Sequence, residues 1–178
     1  MRFVAFLRAI NVGGRIVKKE KLQEAFTSLG FQNVSTYRQT GNVVFETNKM
    51  KASEIELEIE RRLYETLNYE VKVFIRSMSQ LKSILKFKSF KNQESEGSSF
   101  LVTLLPNSPD NFPLPLPYTI PKSTAQIIAI KEREVYSVTH GGGEGALPNP
   151  FLESKLKTKT TTRNINVIQE LLQRYGQT

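Results

Sequence analysis

Residues 8–42 read RAINVGGRIVKKEKLQEAFTSLGFQNVSTYRQTGN. This stretch opens with a glycine-bearing loop, Arg8 to Arg15, and closes with a tight turn, Gln39 to Asn42. Between them, Leu22 to Leu29 carries apolar residues at helical spacing, and Val34 to Arg38 is β-branched and aromatic, as strands are. The stretch therefore predicts a loop, a helix, a strand and a turn, in that order.

The flanking segments extend this pattern on both sides. The apolar run from Arg2 to Leu7 predicts a strand before the loop. Gly30 stands where a helix is expected to stop, just after Leu29. Asn42 to Glu46 follows the turn directly and predicts the second strand of a hairpin.

A second helix and a fourth strand come next. Apolar residues spaced four apart, from Ile55 to Leu67, predict an amphipathic helix, and Ser53 with Glu56 predicts a capping box at its start. The alternation along 71–76 predicts a strand with one buried face. The apolar positions are Val71, Val73 and Ile75, and the others are Lys72, Phe74 and Arg76.

The order β-α-β-β-α-β over residues 1–76 predicts an α+β fold with a ferredoxin-like subdomain, in which two helices cover one face of an antiparallel sheet. If the first strand runs upward, the helix returns downward and the second strand runs upward again. The loop 8–15 and the turn 39–42 are then expected at the same end of the sheet.

Residues 77–178 predict a second, smaller α+β subdomain with a Pro-rich excursion and a C-terminal helix, and the boundary is placed near residue 76. The threonines at 160–162 offer N-caps to the last helix. The predicted elements are a helix from Ser77 to Lys88, a polar loop at 91–99, a strand from Phe100 to Leu105, a hairpin from Thr124 to Thr139, a glycine loop at 140–145 and a helix from Pro148 to Leu156.

Composition sets outer bounds on function. The chain has 178 residues and no cysteine, which excludes disulfides and thiolate chemistry. It has no apolar run of the roughly 18 residues that cross a bilayer and no signal pattern at its N-terminus, so we expect a cytoplasmic protein with no membrane partner. The net charge of +8 suggests acidic partners or a solubilising surface; the lysines are scattered, and the densest cluster is Lys155, Lys157 and Lys159.

Three motifs resemble a bacterial family of uncharacterised proteins, domain-of-unknown-function family 1697. The first is the loop from Arg8 to Gly14, and the second is the hairpin from Thr36 to Phe45. The third runs from Thr161 to Ile168, where the family pattern begins a helix. The resemblance spans nearly the whole chain and implies two α+β subdomains, the first ferredoxin-like, with no established activity.

Some positions depart from the family pattern. Ala9 stands where the family has glycine, so we expect the backbone there to avoid positive φ. Ile165 replaces a frequent tryptophan and Val167 replaces a threonine, which removes a stacking side chain and a polar contact.

The start of the first helix is the leading candidate site. Free backbone N–H groups, the Gly13-Gly14 pair and the basic residues around them suit a phosphate or carboxylate. The structural alternative is that the glycines only allow the loop to bend while Asn11 bonds the backbone. Thr40, Gly41 and Asn42 either add polar groups at the same end or serve only the hairpin turn.

Thr162, Arg163 and Asn164 form a third polar group, with Arg163 either on an anion or tying the subdomains together. The hypothesis is a small anionic, phosphate- or nucleotide-like ligand in a cleft between the two subdomains, with no metal and no cofactor. The expected ligand-binding residues are Arg8, Asn11, Gly13, Gly14, Thr40, Asn42, Arg163 and Asn164.

Two alternatives remain open. Lys72, Phe74 and Arg76 on the second sheet face would suit RNA or single-stranded nucleic acid, although the full aromatic signature is absent and burial of this face is favoured. An enzyme acting on a phosphorylated substrate ranks last, because no strong nucleophile or general base presents itself. The run His140 to Gly143 lacks a matching Gly-x-Ser-x-Gly nucleophile turn anywhere in the chain.

Overall fold

The structure is a computed structural model that describes residues 1–11, 13–38, 41–49, 51–87, 97–140 and 147–177. The chain divides into two compact units, Met1–Leu81 with Leu171–Thr178, and Lys82–Glu170. The first unit extends past the expected boundary near residue 76, and it also includes Leu171–Thr178, which the sequence analysis assigned to the second subdomain. Both units contain an antiparallel sheet with helices, which confirms the α+β class.

The first unit contains the predicted order of elements. The elements are β1 (Arg2–Arg8), α1 (Lys19–Thr27), β2 (Gln32–Tyr37), β3 (Asn42–Glu46), α2 (Ala52–Leu67), β4 (Lys72–Ser77) and the start of α3 (Met78–Leu85). The four-stranded sheet has the order β2-β3-β1-β4, and all three pairings are antiparallel.

One face of this sheet and the two helices α1 and α2 form a single hydrophobic core. The four-residue spacing on α2 is confirmed, because Ile55 and Ile59 belong to this core, as do Val73 and Ile75 of β4. The expectation that β4 has only one buried face is wrong, since two side chains on its other face are buried as well. Aromatic rings fill the centre of the core, with ring centroids between 4.6 and 6.2 Å apart. These rings belong to Phe3, Phe26, Phe31 and Phe45.

The second unit is built on a five-stranded antiparallel sheet. Its elements are the end of α3, β5 (Ser98–Leu104), β6 (Tyr118–Thr119), β7 (Ala125–Lys131), β8 (Glu134–His140), α4 (Asn149–Leu156), β9 (Thr161–Asn164) and most of α5 (Ile165–Tyr175). The strand order is β6-β7-β8-β5-β9, and the hairpin predicted at 124–139 is confirmed as β7 and β8.

The expected capping of the last helix by the threonines at 160–162 is wrong. Residues Thr161–Asn164 form strand β9, which pairs with β5, and α5 starts only at Ile165. The Oδ1 of Asn164 accepts the N–H of Asn166 at 2.9 Å, so the asparagine satisfies an N–H group at the helix start. Sequence reasoning missed the strand because threonine suits strands and caps alike.

The capping box predicted at Ser53 is also wrong. Helix α2 starts at Ala52, so Ser53 is already helical, and its N-cap residue Lys51 makes no side-chain cap. The Oε1 of Glu56 accepts the N–H of Ile75 at 2.8 Å, and one turn later the Oε1 of Glu60 accepts the N–H of Val73 at 3.0 Å. Because β4 is an edge strand in the described part of the chain, these two carboxylates satisfy N–H groups that no described neighbouring strand bonds.

We expect Glu56→Ala to lower the free energy of unfolding by about 1.5–3 kcal/mol, because it leaves the N–H of Ile75 buried without this charged acceptor. Urea denaturation measures the change. Glu54→Ala is the control, since the exposed pair that Glu54 forms with Lys51 should contribute less than about 1 kcal/mol. Equal losses in the two variants would contradict the role given to Glu56.

The expectation that Ala9 avoids positive φ is wrong, since its φ is 57°. A left-handed alanine costs about 1–2 kcal/mol relative to a relaxed backbone. Glycine removes this strain, but its greater conformational freedom in the unfolded chain offsets part of the stabilisation. We expect Ala9→Gly to raise the free energy of unfolding by up to about 1 kcal/mol and the β-branched Ala9→Val to lower it. Urea denaturation of both variants checks the sign, and a loss of stability in Ala9→Gly would contradict the strain.

Candidate functional site

The glycine loop and the hairpin turn lie at the same end of the first sheet. The N–H of Leu7, at the end of β1, donates to the carbonyl oxygen of Gly41 at 2.9 Å, and Phe6 pairs with Asn42. The predicted proximity of loop and turn is therefore confirmed for the described residues. Thr40 lies outside the described residues.

Asn42 serves the hairpin itself. Its side chain is 3% exposed, and its Nδ2 donates to the carbonyl oxygen of Tyr37 at 3.0 Å across the turn. Gly41 N–H donates to the carbonyl oxygen of Arg38 at 3.3 Å. These bonds support the structural interpretation of the turn, in which Asn42 holds the hairpin closed.

Asn11 closes the glycine loop in the same way. Its Oδ1 accepts the N–H of Val17 at 2.9 Å, which joins the two ends of the loop. The hydroxyl of Tyr69 donates to the carbonyl oxygen of Ile10 at 2.7 Å, and the guanidinium of Arg15 lies 4.3 Å from the centre of the Tyr69 ring. Tyr69 thus helps to hold the loop to the rest of the first unit.

Gly13 and Gly14 have φ of 68° and 79°, and a Cβ on either residue would meet nothing within 4 Å. The two glycines are therefore required by the backbone conformation and not by close packing. The space above them is open to a ligand.

We expected the glycine pair to lie at the start of helix α1, but the helix begins after it. The helix starts at Lys19, with Lys18 as an N-cap residue that makes no side-chain cap. The N–H of Leu22 makes the first intrahelical bond, to Lys18, at 3.3 Å, so the N–H groups before it lack helical partners. The first residue of the helix is thus separated from the glycines by Arg15, Ile16, Val17 and Lys18.

Cationic side chains are concentrated in this segment. Residues 8–21 contain five cations and one glutamate, and so carry +4 of the net charge of +8. The cations are Arg8, Arg15, Lys18, Lys19 and Lys21, all exposed except the half-buried Arg8. The acid Glu20 pairs with Lys19 at 3.7 Å between exposed groups, which is a weak interaction. The basic residues expected around the glycine pair thus carry more net charge than the lysine cluster at 155–159.

In the second unit, Arg163 lies half-buried on β9, opposite Val102. Its Nη1 donates to the Oγ1 of Thr161 at 2.8 Å and to the carbonyl oxygen of Thr162 at 2.9 Å. Burial lowers the pKa of Arg163 to about 10, still well above neutral pH. The prediction that Arg163 and Asn164 bind the same ligand as the loop stays a prediction.

The second face of the first sheet offers no stacking platform at Phe74. Phe74 and Arg76 are both 0% exposed, and Arg76 Nη1 donates to the carbonyl oxygen of Ile75 at 2.9 Å. Lys72 pairs with Glu60 at 2.8 Å. A base needs an exposed aromatic ring to stack on, so the proposed nucleic-acid contact through Phe74 is wrong for the folded chain.

His140 is exposed, and its Nδ1 lies 3.1 Å from the Oγ of Ser98. The glycines at 141–143 and most of the polar loop at 91–99 lie outside the described residues. Within the described ranges no group of three or more His, Cys, Asp or Glu side chains is placed to hold a metal ion. No described helix is both long enough and apolar enough to span a bilayer.

We expect Arg15→Gln to raise the pKa of Tyr69 further. Burial already raises that pKa above its ordinary value, and the charge of Arg15 opposes the rise. Only the neutral phenol can donate to Ile10, so this contribution to stability is present below the unfolded pKa near 10 and is lost as pH rises through the folded pKa. Ultraviolet titration of phenolate, with Tyr69→Phe to identify the signal, measures the shift.

Lys131→Gln is the control for this titration, because it removes a cation from an exposed position in the second unit. An unchanged Tyr69 pKa in Arg15→Gln would contradict the electrostatic contact between the two side chains.

Comparison with known proteins identifies relatives without a described activity. The chain matches a solved structure titled the structure of conserved bacterial protein SP0830 from Streptococcus pneumoniae, with a TM-score of 0.63, 17% identity and 97% of each chain covered. This similarity concerns the fold alone. No protein with a curated description matches the chain. A family model described as protein of unknown function (DUF1697) matches residues 1–136, and the chain therefore belongs to the DUF1697 family.

Proposed function

We propose that the loop end of the first sheet binds a small anionic ligand, phosphate- or nucleotide-like in its charged group. The observation that carries the proposal is the net charge of +4 over residues 8–21, beside a helix start that has no side-chain cap. Cations and unsatisfied N–H groups together attract phosphate oxygens more strongly than either does alone.

The topology of the first unit supports this location. From the order β2-β3-β1-β4 and the element order we infer a ferredoxin-like arrangement, in which the loop after β1 and the turn before β3 adjoin. The bond between Leu7 and Gly41 joins the end of β1, just before the loop, to the turn. A ligand over the glycines would thus lie on a surface formed by the loop after β1 and the adjoining hairpin turn.

The residues of this end divide into two roles. We assign anion contact to Arg8 and to the exposed lysines at 18 and 19, with the backbone of Gly13 and Gly14 leaving room for the ligand. Asn11 and Asn42 act as positioning residues, because their side chains hold the loop and the hairpin through backbone bonds. A preformed loop lowers the ordering cost of binding.

Calorimetric titration with pyrophosphate, ADP and uncharged adenosine tests the proposal. We expect pyrophosphate and ADP to bind, adenosine to bind far more weakly, and affinity to fall as salt rises. The double variant Lys18→Gln/Lys19→Gln should weaken binding by about tenfold or more, since each charge-assisted contact contributes about 1.5–3 kcal/mol.

The control is Lys122→Gln/Lys131→Gln, which removes the same charge from exposed positions of the second unit. Equal losses in the two double variants would show a general charge effect and no site. No heat with pyrophosphate or ADP would overturn the proposal. Tighter binding of a short oligonucleotide, unaffected by the Lys18/Lys19 change, would favour nucleic-acid binding elsewhere on the chain.

A further inference from the structure

The second unit contains a cavity of about 390 Å³ between the Pro-rich segment and the C-terminal end of α4. Small-molecule sites in proteins commonly measure about 300–1,000 Å³, so this volume suffices for a small metabolite. One wall is formed by residues from Leu105 to Pro113, and the other by Lys155, Leu156 and Thr158.

The first wall is tied to the sheet of the same unit. The N–H of Leu105 donates to the carbonyl oxygen of Arg133 at 2.8 Å, and Arg133 Nη1 donates back to the carbonyl oxygen of Pro106 at 3.2 Å. Leu105 is 1% exposed and belongs to the core cluster that also contains Leu152 of α4. Both walls therefore rest on one packed core.

The wall segments are also restrained locally. Prolines at 106, 109 and 113 restrict the backbone along the cavity, because each pyrrolidine ring fixes φ. The ring of Phe151, on α4, stacks on Tyr118 with centroids 5.6 Å apart. The cavity is thus formed before any ligand arrives, which lowers the cost of binding.

The lining combines donors with a small apolar surface. Asn107 and Asn111 carry amides, and Ser108 and Thr158 carry hydroxyls. Lys155 supplies one ammonium group. No aspartate or glutamate lines the cavity among the residues that the structure describes.

Charges around the cavity favour one negative group on the ligand. Lys155 lines the cavity, and its ammonium lies 5.7 Å from the centre of the Phe151 ring, one turn back along α4. Lys159 is partly neutralised by Glu153 at 3.9 Å, and Asp110 is exposed outside the lining. Helix α4 ends at Leu156, and the partial negative charge of its last carbonyl groups disfavours a doubly charged anion.

We propose that this cavity binds a small monocarboxylate that carries hydroxyl or amide groups. Its carboxylate meets the ammonium of Lys155, and its hydroxyl or amide groups exchange hydrogen bonds with the side chains of Asn107, Asn111 and Thr158. The apolar part of its chain lies against Leu105 and Leu156. This site is separate in position and in ligand class from the anion site proposed on the first unit.

A ¹H–¹⁵N NMR titration of the full chain with gluconate and with N-acetylglycine tests the proposal. We expect shifts of the backbone amides of Asn107, Ser108, Asn111 and Thr158, while glucose and inorganic phosphate leave these amides unshifted at the same concentration. Lys155→Gln should raise the dissociation constant of the carboxylate probes about tenfold, as the loss of one charge-assisted bond predicts.

Two further variants make the test decisive. Lys131→Gln, an exposed charge outside the cavity, should leave the dissociation constants unchanged. Ser108→Tyr, at an exposed lining position, should fill the cavity and abolish the shifts without changing the charge. Absence of shifts in the wild-type chain, equal shifts with glucose or phosphate, or unaltered binding in both cavity variants would overturn the proposal.

Discussion

The first unit depends on the central position of β1 in its sheet. This strand is hydrogen-bonded to β3 on one side and to β4 on the other, and Phe3 to Leu7 are buried along its length. A strand that is paired on both edges has no freedom to slip, because a shift of one residue would turn every side chain to the wrong face. The loop after β1 is consequently delivered to a fixed place, beside Gly41.

The glycine loop is restrained in this place by hydrogen bonds and surrounded by cationic side chains. Asn11 closes the loop on Val17, and Tyr69 holds it through Ile10, so the polar residues at this end mainly restrain the backbone. The cations of residues 8–21 are the groups left exposed around it, apart from the half-buried Arg8. In the proposed anion site, this restrained loop holds its position while the long cationic side chains around it can adapt to the anionic group.

In both units, side chains as well as neighbouring strands supply hydrogen bonds to the sheet residues. In the first unit the carboxylates of Glu56 and Glu60 bond the outer edge of β4. In the second unit, hydroxyl pairs join neighbouring segments, with Thr103 and Thr162 at 2.7 Å and Thr124 and Thr139 at 2.8 Å. Polar residues that resemble surface residues in the sequence are thereby used inside the fold, where an unbonded polar group would be costly.

The sequence by itself determined the order of strands and helices in the first unit, the core-facing residues of α2 and β4, and the meeting of the glycine loop with the hairpin turn. These features follow from local periodicity and from chain direction, and both can be read from neighbouring residues. Only the tertiary structure decided that Ala9 takes a positive φ, that Glu56 bonds Ile75, that Thr161 to Asn164 form a strand, and that Phe74 is buried. The physical reason is that the partner of a polar group or of a sheet face is set by the tertiary fold. The pairs Glu56 with Ile75 and Thr103 with Thr162 are each remote in sequence, so neighbouring residues do not reveal them.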